Sequence, residues 1–491
     1  MKPIRHARRP GILFDCIGVR DDPQVYRLRP NNRRVLAQKL PETAAHVSYR
    51  SPPYLKDRRR IPAVAITPVG DNRDVSEPRS PLDAMIAPAD IANLVFDSAD
   101  RVNAFALAGR LGPGGFVQSD GSIDLDRARD IFIHRALRVP QLRQVADTAG
   151  RVWRWRDATL DPAQHIRAVD ASNLEDLCAD RMSIRLDRAH PLWEILLVPH
   201  LEIGCAGILI RIHHAVADGL AAALMLAALA DTDGPVIETA RAGVRPTPGA
   251  EDTDARQRLG QLWRVISGSR VPGRSALLGD TDGPRAIRFA GIDLAAFHAG
   301  TQAAHGSVND GVLAAVAGAL STTLHALGEN PPSSVTVSVP VALAARAGQG
   351  NAIGSAMVPL PLSIDDPAER IRAIHPGAVT AIADARLAGE FPPVQSRWMM
   401  RQFVRYSRHQ RKVGLVTSNV HGPASPLCFD GAPLVDMHAV GTLGGNVRIS
   451  IVAASYAGTL SFAVHTAAAI PADILHASLT DELDAIARLA R

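Results

Sequence analysis

Between residues 193 and 231 the sequence reads "WEILLVPHLEIGCAGILIRIHHAVADGLAAALMLAALAD", and this stretch leaves few ways to fold. Two short aliphatic runs, "WEILLV" and "CAGILIRI", flank the turn-like "PHLEIG" and read as a β-hairpin. "HHAVADG" follows the second strand directly, and "GLAAALMLAALAD" then reads as a helix. His213 and His214 therefore stand at a strand end, with Asp218 four residues after the second histidine. A turn in that place can hold side chains rigidly while they face a cleft. Gly219 permits a tight backbone path from the turn into the helix.

The turn admits three readings. In the first, the two histidines merely end a strand. In the second, His213, His214 and Asp218 supply three ligands to a metal. Adjacent histidines diverge from a strand, however, and no matched second cluster is present, so no metal is expected. In the third, a neutral imidazole accepts a proton from an alcohol, as a group with an unperturbed pKa of about 6.5 can near neutral pH. Asp218 need not touch the ring in that case; it can brace the loop by pairing with an arginine. The setting between an apolar strand and a helix favours the third reading.

Strand-like and helix-like runs alternate along the rest of the chain. "VNAFALAGRL" reads as a strand, and "DLDRARDIFIHRAL" as a helix capped by an aspartate. After "SVND" comes a helical run, "GVLAAVAGALSTTLHAL", followed by strands at "SVTVSVPVAL", "SAMVPLPLSI" and "LVTSNV". "VRISIVAASY" and "TLSFAVHT", separated by "AGT", read as a further hairpin, and "DILHASLTDELDAIARLA" as an amphipathic helix. With 491 residues the chain exceeds one ordinary core. The expected architecture is α/β, in two lobes with mixed sheets. A Pro- and Arg-rich extension (1–80) precedes a lobe carrying HHAVADG (81–235). A Gly-, Pro- and Asp-rich crossover (236–285), with a helix near "RQRLGQLWRVI", leads to a second lobe (286–491).

Charge is placed unevenly. Residues 1–80 hold 17 Lys and Arg against 8 Asp and Glu, so the net +5 of the whole chain leaves the remainder acidic. The basic residues sit among prolines rather than interleaved with aromatics on a folded platform, which points away from nucleic acid. A flexible tail fits them better, and a tail that touches an anionic membrane surface is the second reading. The four cysteines (Cys16, Cys178, Cys205 and Cys428) form no CxxC pair, so neither a disulfide framework nor a zinc site is expected, and a reducing cytoplasm is the simple location. No apolar run approaches the roughly 18–20 residues that span a bilayer, and the N-terminus makes a poor signal peptide.

"IRIHHAVADG", preceded by "LDRAHPLWEILLV", resembles the bacterial wax ester synthase/diacylglycerol acyltransferase family. Its His-His-x-x-x-Asp-Gly motif is shared with the wider CoA-dependent acyltransferases and with peptide-synthetase condensation domains. Three stretches narrow the resemblance: Leu186–Asp187–Arg188 with Pro191–Leu192–Trp193–Glu194; Asn309–Asp310 at a helix start; and "SNVHGP", Ser418–Pro423, followed by "PLCFDGAPL". The likeness runs in order over roughly 85–491. It departs at residues 1–80, at Ala87–Asp90, at "RVNAFALAGR", and at His421, which stands where the family has proline.

The resemblance implies two chloramphenicol-acetyltransferase-like lobes with a central channel, and O-acyl transfer from acyl-CoA to diacylglycerol or a long-chain alcohol. It assigns His214 as general base, His213 as its support and Asp218 as a brace for the loop. Asn309, Asp310, Ser418 and Asn419 become oxyanion or positioning groups. Acyl-CoA is a co-substrate and no cofactor is implied; the lipid acceptor implies peripheral contact with a membrane or lipid droplet. A condensation-type acceptor and a weakly catalytic lipid-binding relative are the competing functions. Plainer roles exist for several residues: Trp193 as a core anchor, Glu194 as partner of a basic neighbour, Trp153 and Trp155 as packing, and Asn309 and Asp310 as a helix cap.

Overall fold

The computed structural model describes residues 83–98, 101–217, 219–231, 275–342, 353–388 and 397–490, all within one compact unit, Val75–Arg491. The extension 1–80 and the "RQRLGQLWRVI" run lie outside the described residues. The first half contains β1 (Ala84–Met85), α1 (Pro88–Phe96), β2 (Ala104–Leu111), α2 (Leu125–Ala136), β3 (Gln144–Asp147), β4 (Arg154–Asp157), α3 (Pro162–His165), β5 (Ile166–Ala168), α4 (Leu174–Arg181), β6 (Trp193–Glu202), β7 (Cys205–His213) and α5 (Gly219–Leu229). The second half contains β8 (Arg285–Asp293), α6 (Leu294–Ala303), α7 (Val308–Ala326), β9 (Ser334–Ala342), β10 (Ile353–Pro361), α8 (Pro367–Ala388), α9 (Arg397–Ser407), β11 (Val413–His421), β12 (Cys428–Phe429), β13 (Ala432–Pro433), β14 (His438–Val440), β15 (Ile449–Tyr456), β16 (Thr459–Ala467) and α10 (Ala472–Arg488).

The expected hairpin is present, but β6 runs on through most of the stretch read as a turn. The connection is two residues, Ile203 and Gly204, with Gly204 at φ +74°. A bulge between Val198 and Glu202, with His200 at φ +51°, absorbs Pro199. In the second half Ala457 and Gly458, both at positive φ, close the β15–β16 hairpin. The helix α2 begins where expected, its first turn capped by Asp124, which accepts from Arg127 N–H at 3.1 Å. The helix α7 is buried without a break from Asp310 to Leu320, where it is apolar on every side after its capping Asp310, as a helix covered on all sides must be.

Among the described residues the strands build two large mixed sheets, ordered β14-β2-β7-β6-β5 and β10-β9-β11-β15-β16-β8, and two small antiparallel ones, β1-β4-β3 and β12-β13. In the first only β5 and β6 run parallel; in the second β11 is parallel to both neighbours. The end strand β14 comes from the second half of the chain and pairs antiparallel with β2, Ala439 opposite Leu107. Its approach demands glycine at position 109, where a Cβ would stand 2.2 Å from Asp436 O. The joint is reinforced by Arg110 Nε on Asp436 at 2.6 Å. The helix α4 also bridges the two halves, Glu175 accepting from Phe289 N–H of β8 at 2.6 Å.

Candidate active site

His213 closes β7 and His214 opens the turn that follows. His213 N–H donates to Leu192 O at 3.0 Å and His214 N–H to Asn103 O at 2.9 Å, so the adjoining strands hold both backbones. Successive side chains of a strand point to opposite faces, and the two rings occupy different surroundings. His213 is 1% exposed, whereas His214 is half-buried. His213 Nδ1 accepts from Ala215 N–H at 2.9 Å, which places the proton of the neutral ring on Nε2. That Nε2 lies 3.7 Å from Asp97 Oδ2, beyond hydrogen-bond length but within strong attraction. Burial nevertheless holds the His213 ring below the ordinary histidine range.

His214 packs against Phe105 of β2, ring centroids 5.1 Å apart, and its carbonyl accepts from Asn93 Nδ2 at 3.2 Å. Burial, and secondarily the neighbouring His213, lower its pKa to about 4. The ring is therefore neutral at pH 7, the state a proton acceptor needs.

The carboxylate behind this turn is Asp97, which closes α1. No spacing in the sequence singles it out. It accepts from Arg185 Nε at 2.8 Å, Arg188 Nη2 at 3.0 Å and Asn103 N–H at 3.1 Å. Burial works to raise its pKa, but the His213 ring, Asn103 and Arg185 together hold it well below the usual carboxylate range. Asn103 in turn donates to Asn93 O at 3.0 Å. Asp97, Asn93 and Asn103 thus tie α1 and the start of β2 to both histidines. The one sequence signal for this group is Arg188, within the segment Leu186–Asp187–Arg188. Asp218 lies outside the described residues; Gly219 is the first residue of α5.

Glu194 pairs with two basic neighbours: Arg211, directly opposite on β7, and Arg167. Arg211 is itself 1% exposed and two residues ahead of His213, hence on the same face of the strand. A cavity of about 190 Å³ opens beside these groups, lined among others by His165, Arg185 and Trp193. Trp193 is a core anchor: its Nε1 donates to Leu142 O at 2.8 Å, and its ring stacks on His165 at 4.2 Å. Trp155 is buried, and Trp153 is partly buried under the Arg397 guanidinium.

The other expected residues stand in the second lobe. Asn309, half-buried, lies in the first turn of α7. The N-cap is Ser307, and Asp310 is its reciprocal partner: Ser307 N–H donates to Asp310 Oδ2 at 2.8 Å and Asp310 N–H to Ser307 Oγ at 3.2 Å. His375 Nδ1 reaches the same carboxylate oxygen at 2.7 Å. The Asp310 side chain is thereby occupied in holding the helix start. Ser418 and Asn419, both half-buried, sit on β11 opposite Val452 and Ala453. Among the described residues no group of three or more His, Cys, Asp or Glu side chains could hold a metal ion, and Cys178, Cys205 and Cys428 are free thiols.

Two lobes with mixed sheets, joined by an exchanged strand, with a histidine pair at the end of a central strand, define the class of two-lobed acyltransferases. The chain superposes on a wax ester synthase/diacylglycerol acyltransferase from Marinobacter aquaeolei VT8 with a TM-score of 0.59 at 20% identity, covering 83% of this chain and 99% of that one. It matches the starter condensation domain of rhizomide synthetase RzmA, solved with C8-CoA and Leu-SNAC, at 0.53 and 15%, covering 83% and 94%. These likenesses establish the fold. The model of the wax ester synthase/diacylglycerol acyltransferase catalytic domain matches residues 86–352, and that of the family's C-terminal domain residues 349–487. The chain belongs to this family and is an acyltransferase. A probable diacylglycerol O-acyltransferase of Mycobacterium tuberculosis is 27% identical over 373 residues, 68% of this chain and 80% of the relative. A second, putative one from that organism is 29% identical over 331 residues, covering 60% and 70%.

Proposed function

We propose that the protein transfers the acyl group of acyl-CoA to the hydroxyl of diacylglycerol or a long-chain alcohol, with His214 as general base. The observation that carries this reading is a half-buried, neutral imidazole on a rigid turn at the end of β7. The acceptor O–H gives its proton to the ring as its oxygen attacks the thioester carbonyl. The carbon–sulfur bond breaks as the tetrahedral intermediate collapses, and the ring returns the proton to the departing thiolate. No covalent acyl-enzyme and no cofactor is required. His213, anchored by Ala215 N–H and Asp97, fixes the turn that carries His214. Asn309 is the proposed donor to the oxyanion, since a tetrahedral intermediate needs a preorganised one. Asp310 keeps that helix start in place; Ser418 and Asn419 position substrate, and Asp218 braces the loop. Acyl-CoA and acceptor enter a channel between the lobes from opposite sides.

The test is to incubate the protein with labelled palmitoyl-CoA and diacylglycerol, hexadecanol or an amine, and to separate the products. Ester formation is expected, and His214→Ala should lower it by about 10²–10⁴-fold with an unchanged circular dichroism spectrum. Full turnover by folded His214→Ala would end the mechanism. Amide in place of ester would move the protein to a different acceptor class.

A further inference from the structure

The helix α9 (Arg397–Ser407) is strongly amphipathic. Its inner side packs on the body through Met400, 1% exposed, and through Phe403, edge-on to Phe96 of α1 at 5.6 Å. Its outer side presents Trp398, 69% exposed, and Tyr406, 53% exposed, with the exposed Arg401 and Arg405 between them. The Tyr406 ring lies against Phe403, centroids 6.4 Å apart, yet keeps half its surface in water, and Trp398 keeps more; aromatic and basic residues together suit a membrane–water interface. Along the chain the charge is one-sided: Arg397, Arg401 and Arg405 lie on the helix, and no Asp or Glu occurs from 391 to 429. The neighbouring β3–β4 turn extends the surface. Arg397 donates to Arg151 O at 3.1 Å, and the adjacent Val152 is exposed.

We propose that α9, with the β3–β4 turn beside it, is the surface by which the protein docks on an anionic lipid interface. Each Lys or Arg near such a surface adds an attraction that salt screens, and Trp398 and Tyr406 enter the headgroup layer. The surface lies one helix from the site. The helix α1, on which α9 rests, supplies Asn93 to the His214 carbonyl and ends in Asp97 beside His213. That the docked orientation serves acyl transfer rests on the lipid acceptor proposed above; the docking itself does not.

The full chain is mixed with phosphatidylcholine vesicles with and without about one third phosphatidylglycerol, at low and high salt, and sedimented. Binding is expected only with the anionic lipid and is lost at high salt. Arg401→Glu/Arg405→Glu should lower the partition coefficient at least tenfold, and vesicles of brominated lipid should quench the wild type more than Trp398→Phe. Equal partition of the charge-reversed variant, equal quenching of Trp398→Phe, or equal binding to uncharged vesicles would overturn the proposal. Because these side chains are exposed, melting temperature and turnover on short-chain substrates free in solution should not change. Vesicle binding without any ester formation would sink the proposed function and leave the docking surface standing.

Discussion

At the scale of single residues, the site rests on two histidines held in different surroundings. The His214 pKa of about 4 against the ordinary 6.5 has a defined sign. The unfolded chain binds the proton more readily than the native one, so this ring's contribution to stability is full above pH 6.5 and is lost as pH falls towards 4. The buried His465, lowered to about 3, acts in the same direction. Thermal denaturation between pH 7 and 4.5 should show a melting temperature falling with acid, and a shallower fall for His214→Phe. In kinetics, the acid limb of kcat/KM should lie near pH 4 rather than 6.5. Asp97→Asn should be more damaging to the fold, because it leaves Arg185 and Arg188 without their shared carboxylate. Both arginines keep about a third of their side chains in solvent, so the loss should be about 2–3 kcal/mol, below that of a fully buried pair. Urea unfolding of the variant measures it. The histidines were legible in the sequence because a strand, a turn and a helix follow one another without a gap. Asp97 was not: it is 116 positions from His213 and is brought there by the packing of α1, which no local pattern encodes.

At the scale of elements, the strands of the two hairpins and the helices α2, α5, α7 and α10 were readable because their apolar runs are unambiguous, whereas β8, α4, α8 and α9, among others, received no reading. Two further features were hidden. One is the length of β6, where Pro199 suggested a turn but a bulge carries the strand onward. The other is β14, three residues whose pairing is decided by β2, more than 300 positions away. Gly109 marks that joint. Gly109→Val should force the exchanged segment away from β2 and cost about 1–3 kcal/mol as an overpacking substitution, read as a lower denaturation midpoint together with lower turnover. Gly328→Val is not an equivalent control, since its φ of +75° would strain any branched residue; Gly377→Ala, with nothing within 4 Å of an added Cβ, is.

At the scale of the whole molecule, the family models cover residues 86–487 and leave the basic extension aside. Removing residues 1–80 is expected to preserve turnover on short-chain substrates and the melting temperature; a loss of either would assign the extension to the first lobe. The exchange of β14 also sets an order of events during synthesis. When the ribosome has made β7 and its histidine turn, the sheet lacks its outermost member, and about 225 further residues separate His213 from His438. At roughly 5–20 residues per second that is a wait of about 10–50 s, with the free edge of β2 open to any passing strand. A nascent chain halted after Asp231 should therefore recruit chaperones or aggregate. The N-terminal lobe, though it holds both histidines, matures only once the second half of the chain has returned to finish it.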